Sequence, residues 1–264
     1  MHIGLRQACL LLLSVLGAVL AACTARGDIS RPIPTALVPA PQAAQRLVVV
    51  LPGRADNLDV LRRGGIAEAI HRNWPDADVL LAELTMPYYL QGSAPQRLHD
   101  EVIVPARMRG YREVWLSGAS MGGMGSVLYD RSYPGEVDGI ILLAPYLGDR
   151  PILREIAEAG GVESWDPGPT QTIGNDNWQR EMCRHLKTWA DSPDRTRNVW
   201  LAYGEGDRLR SAMPLLIPLL PRENVLVRPG GHGWDVWSPA LSEVLQAASA
   251  EAEKRALSTS GENP

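Results

Sequence analysis

Val114-Trp115-Leu116-Ser117-Gly118-Ala119-Ser120-Met121-Gly122-Gly123 is the stretch on which the fold turns. It opens as a short apolar run suited to a buried strand. Residues 123–129 then continue with a helical pattern until Pro134 and Gly135 stop it. Between strand and helix, Gly118-Ala119-Ser120-Met121-Gly122 demands a turn so tight that a side chain at either glycine would strike the neighbouring strand or helix. Ser120 is thereby pushed out at the top of the sheet. The start of a helix behind it favours negative charge developing there.

Outward from this turn, short continuously apolar runs alternate with longer amphipathic stretches, the pattern of strands covered by helices on both faces. Strands are expected at 47–51, 77–83, 113–117, 137–143, 199–203 and 225–228, giving an α/β sheet of about six mainly parallel strands. Leu61, Ile66, Ala69 and Ile70 mark one helix face. A final helix is expected to start at Ser238-Pro239 and to bury Leu241, Val244, Leu245 and Ala248. Residues 149–197 separate two strands by more than a crossover needs, so they are read as a small helical lid inserted before the penultimate strand. One lid helix is expected at 152–159. Trp178, Met182, Leu186 and Trp189 form an apolar stripe on another, which predicts packing between lid and body.

The ends read differently. Arg6, the apolar residues between Leu10 and Leu20, and Leu20-Ala21-Ala22-Cys23 resemble a bacterial lipoprotein signal over residues 1–22, with Cys23 as the lipidated first residue of the mature chain. Pro32, Pro34, Pro39 and Pro41 make 23–45 a Pro-rich tether, although 33–38 also permits a short edge strand. The folded domain is then expected over 46–257, with 258–264 as a polar tail. Membrane contact is expected through the lipid anchor only, at the periplasmic face of the cell envelope, and Thr24 favours the outer membrane. The formal net charge is −4, and loss of Arg6 with the signal makes it more acidic, so the basic footprint of a nucleic-acid-binding protein is missing. Cys9, Cys23 and Cys183 leave a single cysteine in the folded part, which excludes an internal disulfide framework.

A serine hydroxyl is a weak nucleophile and requires a base, which in turn requires a group to orient it. His2 lies in the signal, His71 and His99 on helices before Ser120, and His185 in the lid. His232 remains, in the glycine-rich loop Pro229-Gly230-Gly231-His232-Gly233 after the last strand. The orienting acid is expected after the preceding strand, where Tyr203-Gly204-Glu205-Gly206-Asp207 offers two carboxylates. Asp207 is favoured because it lies far enough past the strand to reach back to the histidine loop; Glu205 and Asp235 are its rivals. For a developing oxyanion, one donor is expected from the Met121 amide. The second is expected from the loop Leu51-Pro52-Gly53-Arg54-Ala55-Asp56-Asn57, at Arg54, with Gly53 and Ala55 as near rivals.

With serine, acid and histidine in this order, the chain resembles the α/β-hydrolase family from about Leu47 to Ala252. The resemblance implies hydrolysis of an ester or related acyl bond through an acyl-enzyme, with Ser120 as nucleophile, Asp207 as acid, His232 as base, and no metal or organic cofactor. It departs from the family pattern in having no pair of antiparallel strands before Leu47 and in carrying Pro52 where many relatives have a histidine. A carboxylesterase or lysophospholipase-like enzyme acting on a small-molecule or lipid ester is the leading expectation. The alternatives are a thioesterase or polysaccharide deacetylase on the same fold, with Trp165, Trp178, Trp189, Trp234 and Trp237 as candidate sugar-stacking faces, and a non-catalytic envelope binding lipoprotein. Tyr88 and Tyr89, with the lid, are expected to shape the acyl pocket.

Overall fold

The computed structural model describes residues 28–260, and in it the apolar runs become strands because period-two alternation sends their side chains into two cores at once. In β2 (Arg46–Leu51), Val48 and Val50 pack with Ile66, Ile70 and Leu241, while Leu47, Val49 and Leu51 face the other side among Leu98, Ile103 and Tyr129. The remaining strands are β1 (Thr35–Val38), β3 (Ala77–Ala82), β4 (Glu113–Ala119), β5 (Gly139–Leu143), β6 (Val199–Gly204) and β7 (Val225–Arg228). Their order across the sheet is β1-β3-β2-β4-β5-β6-β7. From β3 to β7 every neighbouring pair is parallel, so the carboxyl ends of six strands open onto one edge.

The first strand corrects the tether reading of 23–45. Thr35–Val38 pairs antiparallel with β3, in the register Thr35 to Ala82 through Val38 to Val79. The prolines flank this segment rather than interrupt it, and an edge strand needs only one row of ladder bonds. Pro34 even contributes, its carbonyl accepting the Glu83 amide at 2.9 Å. Ile33 is buried in the core and its amide donates to Glu101, so the ordered domain begins well before residue 46. Cys23 and the signal fall outside the described residues.

The last helix likewise begins earlier than expected. It spans Trp234–Ser260, because the Gly233 carbonyl accepts the amides of Val236 and Trp237 and starts the helix directly behind the histidine loop. It buries Leu241, Val244, Leu245 and Ala248 as anticipated and reaches beyond residue 257 into the stretch read as a tail. Among the described residues no helix is long and apolar enough to cross a membrane.

Between β5 and β6 the insertion forms three helices, Arg150–Glu158, Trp178–Ala190 and Pro193–Thr196. Met182, Leu186 and Trp189 of the expected stripe are buried against Val127 and Leu128, on the helix Met121–Ser132 that follows Ser120. Cys183 joins them, and burial pushes its thiol up to about 12. Buried polar and ionic contacts fasten the same two helices. Asp130 accepts from His185 at 2.7 Å and from the Trp189 indole at 3.1 Å. Glu181, with a side chain 1% exposed, meets Arg131 at 3.4 Å and Arg184 at 3.2 Å. Removing one member of a buried ionic group leaves the others uncompensated. Glu181→Ala is therefore expected to lower stability by about 3 kcal/mol. In a thermal melt that is a fall in Tm of roughly 10 °C for a chain of this size. A loss below about 1 kcal/mol would mean that both arginines swing out to solvent and that the pairs hold nothing.

Candidate active site

Ser120 sits where β4 ends and the helix Met121–Ser132 begins, at φ 51° and ψ −109°. A residue with a side chain rarely holds that backbone, and the strain of about 1–3 kcal/mol persists only where neighbours fix it. Here the Ser120 amide donates to the Leu143 carbonyl at 2.8 Å, and the Ser120 carbonyl accepts the Tyr146 amide at 2.9 Å. The flanking glycines are obligatory for the reason the sequence suggested. A Cβ on Gly118 would lie 2.2 Å from the Gly122 carbonyl oxygen, and one on Gly122 would lie 2.5 Å from that of Leu51.

The structure brings Ser120, His232 and Asp207 together. His232 Nε2 lies 2.9 Å from Ser120 Oγ, and His232 Nδ1 lies 2.9 and 2.8 Å from the two carboxylate oxygens of Asp207. A carboxylate can only accept, so the proton facing it belongs on Nδ1, which leaves Nε2 free to accept the serine hydroxyl. Asp207 is 2% exposed, and Oδ1 also accepts the Leu209 amide at 2.7 Å, which fixes the carboxylate plane. The His232 ring packs edge-on against Trp237 at 4.7 Å. Tight loops make this reach achievable: a Cβ on Gly204 would fall 2.4 Å from the Gly230 carbonyl oxygen, so the acid and histidine loops touch backbone to backbone.

The rival acids are placed elsewhere. Glu205 is exposed, and Asp235 is exposed in the first turn of the last helix. His99 bonds the Tyr129 hydroxyl and His185 bonds Asp130, so both are engaged away from Ser120. Near the oxyanion loop, the Gly53 amide donates to Asp56 Oδ2 at 3.1 Å, which removes that rival as a free donor. The Arg54 and Met121 amides donate to no group among the described residues.

Tyr146 and Asp56 were missed by sequence reasoning. The Tyr146 hydroxyl donates to Asp149 at 2.5 Å, and Gln179 of the insertion donates to the same carboxylate at 2.8 Å. Those two bonds, the tyrosine's first, hold the Asp149 carboxyl below the usual carboxylate range. Of the five tryptophans considered for sugar stacking, Trp165, Trp189 and Trp237 are buried, and the Trp234 indole donates to Asp56. Trp178 remains half-buried, its ring 6.2 Å from that of Tyr146. Tyr88 is fully buried in the core beneath β2 and packs rather than lines a pocket. Tyr89 lies against the helix behind Ser120, where a Cβ on Gly125 would meet its hydroxyl at 2.1 Å.

The Esterase family model matches residues 96–248, from the helices before β4 to the last helix. No curated protein matches the chain in sequence. Similar solved structures include Est1E from Butyrivibrio proteoclasticus, at 16% identity and a TM-score of 0.55 over 82% of this chain and 93% of that one. S-formylglutathione hydrolase (FrmB) from Staphylococcus aureus has 12% identity and a TM-score of 0.54, over 84% and 99% of the two chains. FphF, a fluorophosphonate-binding serine hydrolase of Staphylococcus aureus, has 13% identity and a TM-score of 0.54, over 83% and 99%. At such identities these likenesses speak to the fold, which is that of the α/β-hydrolases. The family model spans more than half of the chain, which therefore belongs to the Esterase family, as a serine hydrolase acting on ester bonds.

Proposed function

We propose that the chain cleaves carboxylic esters through an acyl-enzyme on Ser120. The observation that carries this reading is the continuous relay of 2.9 Å from Ser120 to His232 and 2.8 Å from His232 to Asp207. His232 Nε2 takes the hydroxyl proton as Ser120 Oγ bonds to the ester carbonyl carbon. The carbonyl electron pair moves onto oxygen, where the Met121 and Arg54 amides receive it. Collapse of that intermediate breaks the bond to the alcohol oxygen, which leaves with the proton from His232. Water, deprotonated by the same histidine, then releases the acid and restores Ser120.

Small-molecule or lipid esters are favoured over sugar-bound acetyl groups because most of the candidate stacking tryptophans are committed to the core or to Asp56. The non-catalytic binding role is disfavoured by the same relay, which a binding platform does not require. Lipid attachment at Cys23 would hold the enzyme at the periplasmic face of the envelope, in the outer membrane, with lysophospholipids within reach as substrates.

A chain-length series of p-nitrophenyl esters, run beside the matching thioesters and an acetylated polysaccharide, tests this reading. Turnover is expected on oxygen esters, with kcat/KM on the best of them at least about tenfold above the thioester, a difference of about 1.4 kcal/mol in transition-state stabilisation. Release of acetate from polysaccharide without turnover of simple esters would overturn it in favour of a deacetylase.

A further inference from the structure

The loop that carries Arg54 and the helix that follows His232 meet at one carboxylate oxygen. Asp56 Oδ2 accepts the Gly53 amide at 3.1 Å and the Trp234 indole Nε1–H at 2.9 Å. Each donor is next to the chemistry. A Cβ on Gly53 would lie 2.8 Å from Asp56 Oδ2 and 3.9 Å from Ser120 Cβ, so the space that a side chain would fill at Gly53 adjoins both the carboxylate and the serine. Trp234 stands two residues after His232 and opens the last helix; its ring meets Trp237 edge-on at 5.2 Å, and Trp237 meets the His232 ring at 4.7 Å. Trp234 is also wedged in place, since a Cβ on Gly64 would come within 3.1 Å of its ring.

Resting on the roles given above to Ser120, His232 and the Arg54 amide, we propose that Asp56 is a positioning residue that locks the oxyanion loop to the histidine-bearing helix. By engaging the Gly53 amide, it fixes the turn in which the next amide, that of Arg54, stays unbonded and available to substrate. Through Trp234 it holds that turn in register with the packing that seats His232. Asp56 touches no reacting atom; it acts through Gly53 and Trp234. Both bonds end on the same oxygen, so the geometry of the lock requires one acceptor atom and does not require the second carboxylate oxygen. An asparagine can present its one carbonyl oxygen at that place and accept both, whereas an alanine accepts neither.

Three variants and a double variant test the lock on a p-nitrophenyl ester and by the rate of fluorophosphonate labelling, with thermal melts as the control for folding. Asp56→Ala is expected to lower kcat by about a hundredfold, the effect of a displacement near 1 Å in a reacting geometry, with KM changed by less than about threefold. Trp234→Phe, which keeps the ring and removes the donor, is expected to lower kcat by about tenfold. The double variant is expected to be no worse than Asp56→Ala, because both changes break one network. Asp56→Asn is expected to recover kcat to within about fivefold of the parent. An Asp56→Asn variant as slow as Asp56→Ala would overturn the proposal in favour of a charge effect. Trp234→Phe at parental kcat would overturn it even if Asp56→Ala fails to fold, and additive losses in the double variant would show two unrelated contacts. Failure of the underlying active-site reading is separable, since it would appear as labelling that survives Ser120→Ala.

Discussion

Replacing Ser120 by alanine is expected to lower kcat on an activated ester by about six orders of magnitude and to abolish labelling by a fluorophosphonate probe. The expected size follows from the absence, among the described residues, of a substitute hydroxyl in contact with His232. Ser117 and Ser126 are both fully buried, and Ser126 already donates to the Gly122 carbonyl at 3.1 Å. Water held by His232 could still attack, but without the alignment that the strained backbone at Ser120 supplies. What survives should be the rate from the oxyanion donors and substrate binding alone, about 10³–10⁴ above the uncatalysed reaction. The protein should remain folded, because the Ser120 backbone bonds to Leu143 and Tyr146 do not involve the hydroxyl. A variant with retained labelling, or with kcat within a hundredfold of the parent, would move the nucleophile elsewhere.

The three residues of the relay were legible in the sequence for a topological reason. In a parallel sheet every loop after a strand emerges at the same edge, so motifs far apart in the chain are brought together by their strand register alone. Ser120 follows β4, Asp207 follows β6 and His232 follows β7, and the glycines that allow close approach stand beside them. The strands themselves were legible because continuous apolar runs of five or six residues, such as that of β2, have few other ways to be buried.

What escaped the sequence depends on pairings without local periodicity. β1, which the sequence offered only as an alternative to the tether, has four residues and alternates exposed with half-buried positions, so it carries little apolar signal and is defined by its ladder with β3. Asp56 and Trp234 are separated by 178 positions, and nothing about either residue announces the other. The same holds for Asp130 and His185, which fasten the insertion to the helix behind Ser120 across 55 positions. The helical stripe predicted packing between lid and body; it did not single out the helix behind Ser120 as the partner, nor the buried polar and ionic groups that join the two.

Asp207→Asn should cost about four orders of magnitude in kcat while leaving the fold intact, and the reason is a matter of proton placement rather than of lost attraction alone. In the parent, Asp207 Oδ1 accepts the Leu209 amide at 2.7 Å, and His232 Nδ1 is shared between Oδ1 at 2.9 Å and Oδ2 at 2.8 Å. The Leu209 amide must still be met by an acceptor in the variant, so the asparagine oxygen takes the Oδ1 place and its NH2 group takes the other. Nδ1 then keeps one acceptor, the asparagine oxygen, but meets an NH2 donor where the nearer oxygen stood, which favours the tautomer in which Nδ1 carries no proton and accepts. In that tautomer the imidazole proton sits on Nε2, 2.9 Å from Ser120 Oγ, where the ring donates to the hydroxyl that it deprotonates in the proposed mechanism. Glu205 offers no relief, since it is exposed in the turn while Asp207 is 2% exposed beneath the imidazole. Asp207→Ala removes the acid without imposing the wrong tautomer, so the asparagine variant should be at least as slow as the alanine one. The comparison is made from kcat and labelling rate for both variants. An asparagine variant within tenfold of the parent would show that His232 is oriented by its ring packing against Trp237, and that the carboxylate only fills space.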